Sequence, residues 1–316
     1  MKKEKESVRS IKSLLASYDS SNILKCKKLD FEGVTGLDVY NIASPFKLKG
    51  VNYLLGRVEL RDFEVGSLAV FFTKKGKEKY WKRSKAPVFN LQDPFWIRFN
   101  GEIVIGGVEI MQKNVERGLK WRTVFYRGKS LGKLRRFAEG PWGMKGIRFV
   151  RLNGKIYLFT RPQGKKGRRG KIGFRVLNSL SELKPRKISG AGIIKGMFAK
   201  GEWGGVNQVH VLKNKKLGVL GHIAKFEKDN SGEVRRYYYP ISFCFDPETE
   251  EFSGMKILAC RGDLPEGDSK RKDLYHVIYP GGLIRVKGKK AKLYAGVSDV
   301  ESYEITIKDP FLEYEE

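Results

Sequence analysis

The sequence predicts an all-β chain, a five-bladed β-propeller with a short N-terminal helix. Three observations lead there. A strand–turn–strand unit recurs five times: FKLKGVNYLLGRVE from Phe46, WIRFNGEIVIGGVE from Trp96, FVRLNGKIYLFTRPQ from Phe149, HVLKNKKLGVLGHIA from His210 and LIRVKGKKAKLYAGVSD from Leu283. Its turns fall at Gly50, Gly101, Gly154, Lys215 and Gly288, spaced by 51, 53, 61 and 73 residues. That spacing leaves room for about four strands per unit, the content of one blade. Long amphipathic helices, which a parallel sheet would place between its strands, are all but absent. Blades stack only on neighbours and a ring must close, so the 316 residues read as one domain, with residues 1–22 as a helical extension.

Residues 5–18 put Val8, Ile11, Leu14, Leu15 and Tyr18 on one helical face, which predicts a short helix docked outside the ring. Residues 23–31, ILKCKKLDF, read as a strand closing the ring beside the last blade. Blade 1 runs from Asp38 to Asn90 and opens with DVYNIASPF, which contains Asn41. Arg57, Glu59, Arg61, Asp62 and Glu64 crowd behind its apolar return strand, so a hydrogen-bonded charged network facing a pocket is expected. In blade 2 (91–140), Asp93 precedes a hairpin whose Asn100-Gly101 turn is a strong short-range signal, which sets this carboxylate at the strand's mouth. Glu109 and Arg122 follow on the same blade.

Blade 3 (144–188) brings Lys145 and Arg148 to the equivalent mouth position and ends its return strand at Arg161 and Gln163. The loop 164–171, GKKGRRGK, reads as a mobile tip, and 189–202 as a glycine-rich connection. Blade 4 (203–262) sets Asn207, Gln208 and His210 at the mouth, His222 at the end of its return strand and Tyr239 at the inner rim. Blade 5 (273–310) offers Asp273, His276 and Tyr279, then Ser298, Asp299 and Glu301. Every blade thus delivers polar groups to one end of a central funnel, where packed blades hold a site rigidly.

Composition narrows the partners. No stretch of eighteen or more apolar residues exists, so no membrane span is expected. The N-terminus lacks a signal-peptide pattern, and Cys26, Cys244 and Cys260 are odd in number without CxxC spacing, which suits a reduced, cytoplasmic protein. His210 and His222 lack a third ligand at metal spacing, so no metal is assigned, and nothing requires a cofactor. The net charge of +28 suits a phosphorylated or polyanionic partner, or plain lysine protection of blade edges. Nucleic-acid binding is disfavoured, since no basic motif interleaved with aromatics occurs.

DVYNIASPF, LLGRVELRD, QDPF before a hairpin, NQVHVLKNKKLGVLGHIA, YPGGL and YAGVSDVES occur in order. This set resembles a bacterial and trypanosomatid family, formerly a domain of unknown function and now glycosyltransferase family 108. That family is related to the mannoside phosphorylases of glycoside hydrolase family 130. The resemblance runs from about Val34 to Phe311. It implies a five-bladed propeller acting on β-1,2-linked mannose, moving mannose reversibly between mannooligosaccharides and phosphate, with GDP-mannose a donor for some members. Through QDPF it implies that Asp93 is catalytic. Arg57 and Arg61 would line the mannose pocket and Asp299 would bind sugar hydroxyls. Substrate contacts are further expected from Asn41, Glu59, Glu109, Asn207, Gln208, Asp273 and Tyr279. Phosphate contacts are expected from Arg122, Lys145, Arg148, His222 and Tyr239. His276 departs from the aspartate common in relatives, which bears on acceptor recognition.

The chemistry agrees with a count of charges. Inverting hydrolysis needs an acid and a second carboxylate, about 6.5–9.5 Å away, as base for water. Phosphorolysis needs the acid and cations to hold an anionic nucleophile. One favoured mouth aspartate among Arg, Lys and His points to phosphorolysis or transfer. A hydrolase with Glu59, Glu64 or Glu109 as base remains the alternative, as does a non-catalytic propeller that binds glycans or a polyanion.

Overall fold

The computed structural model describes residues 8–63, 65–76, 78–112 and 118–315. Its strands build five sheets, the blades of a propeller. Blade 2 is the plainest, an antiparallel meander of Gln92–Phe99, Glu102–Gln112, Leu119–Gly128 and Arg135–Glu139. Blade 3 comprises Arg148–Leu152, Lys155–Thr160, Gly173–Leu177 and Gly192–Ile193. Blade 4 comprises Trp203–Val211, Leu217–Lys228, Val234–Asp246 and Glu251–Ile257. The expected Asn-Gly hairpins are present. Asn100-Gly101 and Asn153-Gly154 carry φ of 50°/76° and 51°/78°, and leave Phe99 opposite Glu102 and Leu152 opposite Lys155. Two left-handed residues in a two-residue loop match the twist of the flanking strands.

Blade 1 departs from the meander. Its inner strand is split into Asp38–Tyr40 and Phe46–Leu48, both paired with Val51–Glu59. Leu68–Thr73 and Trp81–Arg83 follow, and Phe31–Glu32 joins Trp81–Arg83 in parallel. Blade 5 takes Ile278–Val286, Lys290–Val297 and Glu301–Lys308, and its outermost strand is Ile23–Lys28. Cys26 sits opposite Ile305 in that antiparallel pair. The early strand therefore completes the last blade, and the ring closes through it.

Between blades lies aromatic and aliphatic core. Phe125 and Phe149 meet at 5.7 Å between blades 2 and 3, and Phe245 packs on Phe159 and Phe174 at 5.3 and 4.7 Å between blades 3 and 4. Each such fully buried ring is worth about 1.5–3 kcal/mol. The N-terminal helix is shorter than its pattern suggested. It spans Ile11–Ala16, starts where the Ser10 side chain accepts from Ser13 N–H, and buries Ile11 and Leu14 against blades 3 and 4. Val8 is exposed, Tyr18 lies past the helix and donates to Asp263, and residues 5–7 lie outside the described residues.

Two connections differ from expectation. The 164–171 loop is a closed turn, not a free tip. Gly164 and Arg168 exchange backbone hydrogen bonds, and Arg161 donates to Gly204 O and Arg169 O. The 189–202 stretch supplies Gly192–Ile193, the fourth strand of blade 3.

Candidate active site

Three inner strands, in blades 2, 4 and 5, carry a bulge in their pairing with the second strand. In blade 2, Asp93 and Pro94 face the single residue Gly107, since Gln92 pairs with Val108 and Phe95 with Gly106. Asn207 is the extra residue in blade 4 and Gly281 in blade 5. In blade 1 the strand breaks after Tyr40, where Asn41 takes φ 47°. A bulge bends its strand and re-aims one side chain without ending the ladder. Asp93 has φ 47° and Asp299, in the turn after the second strand of blade 5, φ 54°. Left-handed backbone is uncommon for residues other than glycine and tends to gather at functional sites. Three such residues, Asn41, Asp93 and Asp299, share one cleft.

That cleft measures about 650 Å³ with its open mouth and draws residues from all five blades. Blade 1 contributes Asn41 and Arg57, blade 2 Asp93 and Val108, and blade 5 Tyr279 and Asp299. Lys145, Arg148 and Arg161 come from blade 3 and its approach, and His222, Arg236 and Tyr238 from blade 4. Five cations thus face two carboxyls.

Asp93 Oδ1 accepts from Asn41 Nδ2 at 2.8 Å and Arg57 Nη1 at 3.3 Å. Burial opposes its charge, but Arg57, Lys145, the Asn41 hydrogen bond and Arg148 together hold it below the usual carboxylate range. Asp299 goes the other way. Burial, reinforced by Asp93, lifts its pKa against the pull of Arg57. Arg148 is fixed by bonds from Nε to Asn207 O and Nη1 to Ile147 O, with its guanidinium 3.7 Å from the Phe95 ring centre. Lys145 makes no hydrogen bond or ion pair among the described residues, which leaves its charge to the cleft.

His222 is a neutral imidazole. Burial, then Arg161, Lys145 and Arg148, hold its pKa well below the ordinary value. Its Nδ1 lies 2.7 Å from Asn207 Oδ1, so Nδ1 carries the proton and Nε2 offers a lone pair. Such a group receives a hydroxyl or a protonated phosphate oxygen and adds no positive charge. Tyr238 stacks on it at 5.4 Å and takes a hydrogen bond from Trp203 Nε1.

The cleft unites eight of the sixteen residues singled out: Asn41, Arg57, Asp93, Lys145, Arg148, His222, Tyr279 and Asp299. The other eight stand back from it. Glu59 binds Arg57 from behind at 2.7 Å, and Arg61 turns to Asp38 at 2.5 and 2.9 Å. Arg122 pairs with Glu109 and Glu139 and lies 4.2 Å from the Trp142 ring, so its charge is already met. Glu109 is held by Arg122 and Arg136. Asn207 orients His222, while Gln208 accepts from Leu283 N–H at 2.5 Å and ties blade 4 to blade 5. Asp273 pairs with Arg271. Tyr239 points into the core that receives Ile11, and its neighbour Tyr238 takes the rim. His210, expected at the mouth, stacks on Phe311 away from the cleft. His276 stacks on Tyr237 at 4.5 Å. Glu64 lies outside the described residues. Arg161, Arg236 and Tyr238 line the cleft and were not assigned to it from sequence.

The family described as "Protein of unknown function (DUF1861)" matches residues 16–313. The chain belongs to this family. Its fold superposes on MPT-4, a mannose phosphorylase from Leishmania mexicana in complex with phosphate ion, with a TM-score of 0.90 and 32% identity over 97% of this chain and 95% of that one. MPT-1, a GDP-Man-dependent mannosyltransferase from Leishmania mexicana, gives 0.88 and 30% identity over 97% and 96%. A β-1,2-mannobiose phosphorylase from Listeria innocua shares the fold alone, at 14% identity, a TM-score of 0.63 and 94% and 98% coverage. A search of curated sequences finds no match. The family resemblance drawn from the ordered motifs is the one these comparisons support.

Proposed function

We propose that this DUF1861 protein is an inverting β-1,2-mannooligosaccharide phosphorylase and mannosyltransferase, with GDP-mannose an alternative donor to α-mannose 1-phosphate. The observation that carries this reading is the charge of the cleft: Lys145, Arg148 and Arg161 line it together with Asp93, and among the described residues Lys145 has no carboxylate partner of its own. Water as nucleophile needs no cations, whereas a phosphate dianion needs several. The likeness to a mannose phosphorylase bound to phosphate at 32% identity supports the same choice.

Asp93 would hand a proton to the leaving sugar oxygen. With its pKa held low by Arg57 and Lys145, it is better suited to take a proton from an acceptor hydroxyl during synthesis. A phosphate dianion beside Lys145 and Arg148 offsets those cations and raises Asp93 toward an acid's role, so nucleophile and proton donor load together. Asp299, with Asn41 and Tyr279, would receive the sugar hydroxyls.

A single displacement at a β-mannoside inverts the anomeric carbon. Incubation with β-1,2-mannobiose and phosphate should therefore yield α-mannose 1-phosphate, visible as an α-anomeric phosphorus signal by NMR. Omitting phosphate should stop turnover. Free mannose released equally fast without phosphate would make the protein a hydrolase. Glu59 and Glu109 are held by arginines behind the cleft, so Asp299 would then be the carboxyl to test as base.

A further inference from the structure

Arg57 gives most of its hydrogen bonds away from the cleft. Its Nε and Nη2 donate to Glu59 Oε2 at 2.9 and 2.7 Å, which leaves Nη1 for Asp93 Oδ1 at 3.3 Å. Ser67 Oγ donates to the same glutamate oxygen. The other oxygen, Oε1, accepts from Lys270 Nζ, which also donates to Phe63 O. Lys270 belongs to the connection between blades 4 and 5, yet reaches blade 1, and its side chain is only 5% exposed. Its backbone N–H donates to Ser298 O, next to Asp299. Arg61 adds a second tie to that connection through Asp268 at 3.4 Å. The Tyr40 ring lies beside both inner cations, 4.8 Å from Arg57 and 5.8 Å from Lys270.

The outcome is a row of alternating charge: Lys270, Glu59, Arg57, Asp93. Taking a lysine and a glutamate out of water costs several kcal/mol per ion, and a well-packed apolar pair could fasten the connection without that cost. What an apolar pair could not do is bias the charge at the far end of the row.

We propose that Glu59 and Lys270 are positioning residues for Asp93, acting through Arg57, so that the connection between blades 4 and 5 tunes the acid it overhangs. This rests on the reading of Asp93 as proton donor. Glu59 occupies one edge of the guanidinium and so limits Arg57 to a single contact with Asp93. Without that anion, Arg57 can close on Asp93 through two nitrogens, and proton binding weakens. Without Lys270 a distant positive charge is lost, and proton binding strengthens. The other groups facing Asp93 are unchanged in either variant: Tyr40 and Asn41 from blade 1, Lys145 and Arg148 from blade 3, and Tyr279 and Asp299 from blade 5.

The test is titration of the Asp93 carboxyl carbon by NMR in aspartate-labelled protein, with the signal assigned from Asp93→Asn. Glu59→Gln should move the midpoint down and Lys270→Met should move it up, each by about one pH unit. Lys270→Arg should restore the original value. Opposite signs are a signature that loosened packing would not produce. The alkaline limb of kcat for phosphorolysis should follow the same directions with KM little changed. An Asp93 midpoint that stays put in both variants, or moves the same way in both, overturns the proposal. If Glu59→Gln fails to fold, Lys270→Gln decides alone, and an unmoved midpoint overturns it. The titration needs no substrate, so shifted midpoints without phosphate-dependent turnover would fault the functional reading and leave the row standing.

Discussion

Asp93 reaches the cleft because one extra residue in its strand turns it inward, at a backbone angle that only a locked surrounding maintains. Asp93→Asn keeps the shape and the Asn41 neighbour but cannot exchange a proton. It should cut turnover by about 100- to 10,000-fold, the usual worth of general acid catalysis, while the chain stays folded with a melting temperature somewhat lowered by loss of the Arg57 pairing. Steady-state rates with β-1,2-mannobiose and phosphate check this, and near-normal turnover removes Asp93 from the mechanism. Glu109→Gln is the contrast. Among the described residues Glu109 pairs with Arg122 and Arg136, outside the cleft, so the rate should stay within a few-fold of the parent. Charge type and mouth position were legible for Asp93, Arg57, Lys145 and Arg148. Which of two adjacent residues faces inward was not. The strand Val234–Asp246 is largely buried on both faces, so alternation carries no parity and the expected rim residue Tyr239 gave way to Tyr238. Arg122 was misplaced for another reason. It sits on the third strand of its blade, directly opposite Glu109, where a cross-strand ion pair absorbs it.

Strands and hairpins were the most legible elements, since Asn-Gly turns and alternating apolar runs leave few choices. Bulges were not, because one added residue barely alters composition. Their trace was present as glycine pairs. Gly106-Gly107 lies opposite the Asp93 bulge, where a Cβ on Gly106 would come within 2.4 Å of the Phe95 ring. Gly281-Gly282 lies at the blade 5 bulge, where a Cβ on Gly281 would meet Ile42 O at 1.6 Å. Glycine pairs within otherwise good strands deserve reading as bulge markers. The C-terminal segment offers a separate test. Arg285 donates to Glu315 at 2.8 and 2.7 Å and to Asp309 at 2.6 Å, and Glu315 also accepts from Lys213 N–H at 3.0 Å. The bonds from Arg285 lead in holding Glu315 at about 2, below its ordinary value. A depressed carboxyl stabilises the fold above its unfolded pKa, and that contribution fades as pH falls through the folded one. Glu315→Gln should therefore cost about 1–3 kcal/mol near neutrality and progressively less toward pH 2, read from denaturant midpoints. An equal loss at both ends would exclude the charge as the cause.

At the scale of the molecule, the repeat spacing revealed the number of blades, and the stray strand near the start revealed where the ring closes. The unequal spacings were harder to read, because the blade 4–5 connection and the split inner strand of blade 1 carry site residues of their own. Closure makes a direct prediction. A chain beginning at residue 30 leaves Glu301–Lys308 as a bare edge, whereas one beginning at residue 20 keeps its partner strand. The first should melt roughly 10 °C or more below the second, if the strand contributes several kcal/mol. A peptide covering 20–29 should recover part of the difference in thermal scans, and no gap between the two chains would mean the ring is held without this strand.

The closing strand also sets an order of events during synthesis. Ile23–Lys28 leaves the ribosome before any of the five blades, and its partner Glu301–Lys308 follows only after blades 1 to 4 have been made. Throughout that interval the strand is a loose edge. Its exposed Lys25, Lys27 and Lys28 suit the wait, because charged side chains discourage pairing with other nascent chains. Blade 5 cannot be completed until Glu301–Lys308 meets Ile23–Lys28, more than 270 residues earlier in the chain. Asp299 and Tyr279 belong to that blade, so a chain cut short before residue 301 lacks the partner for its own beginning and cannot finish the cleft.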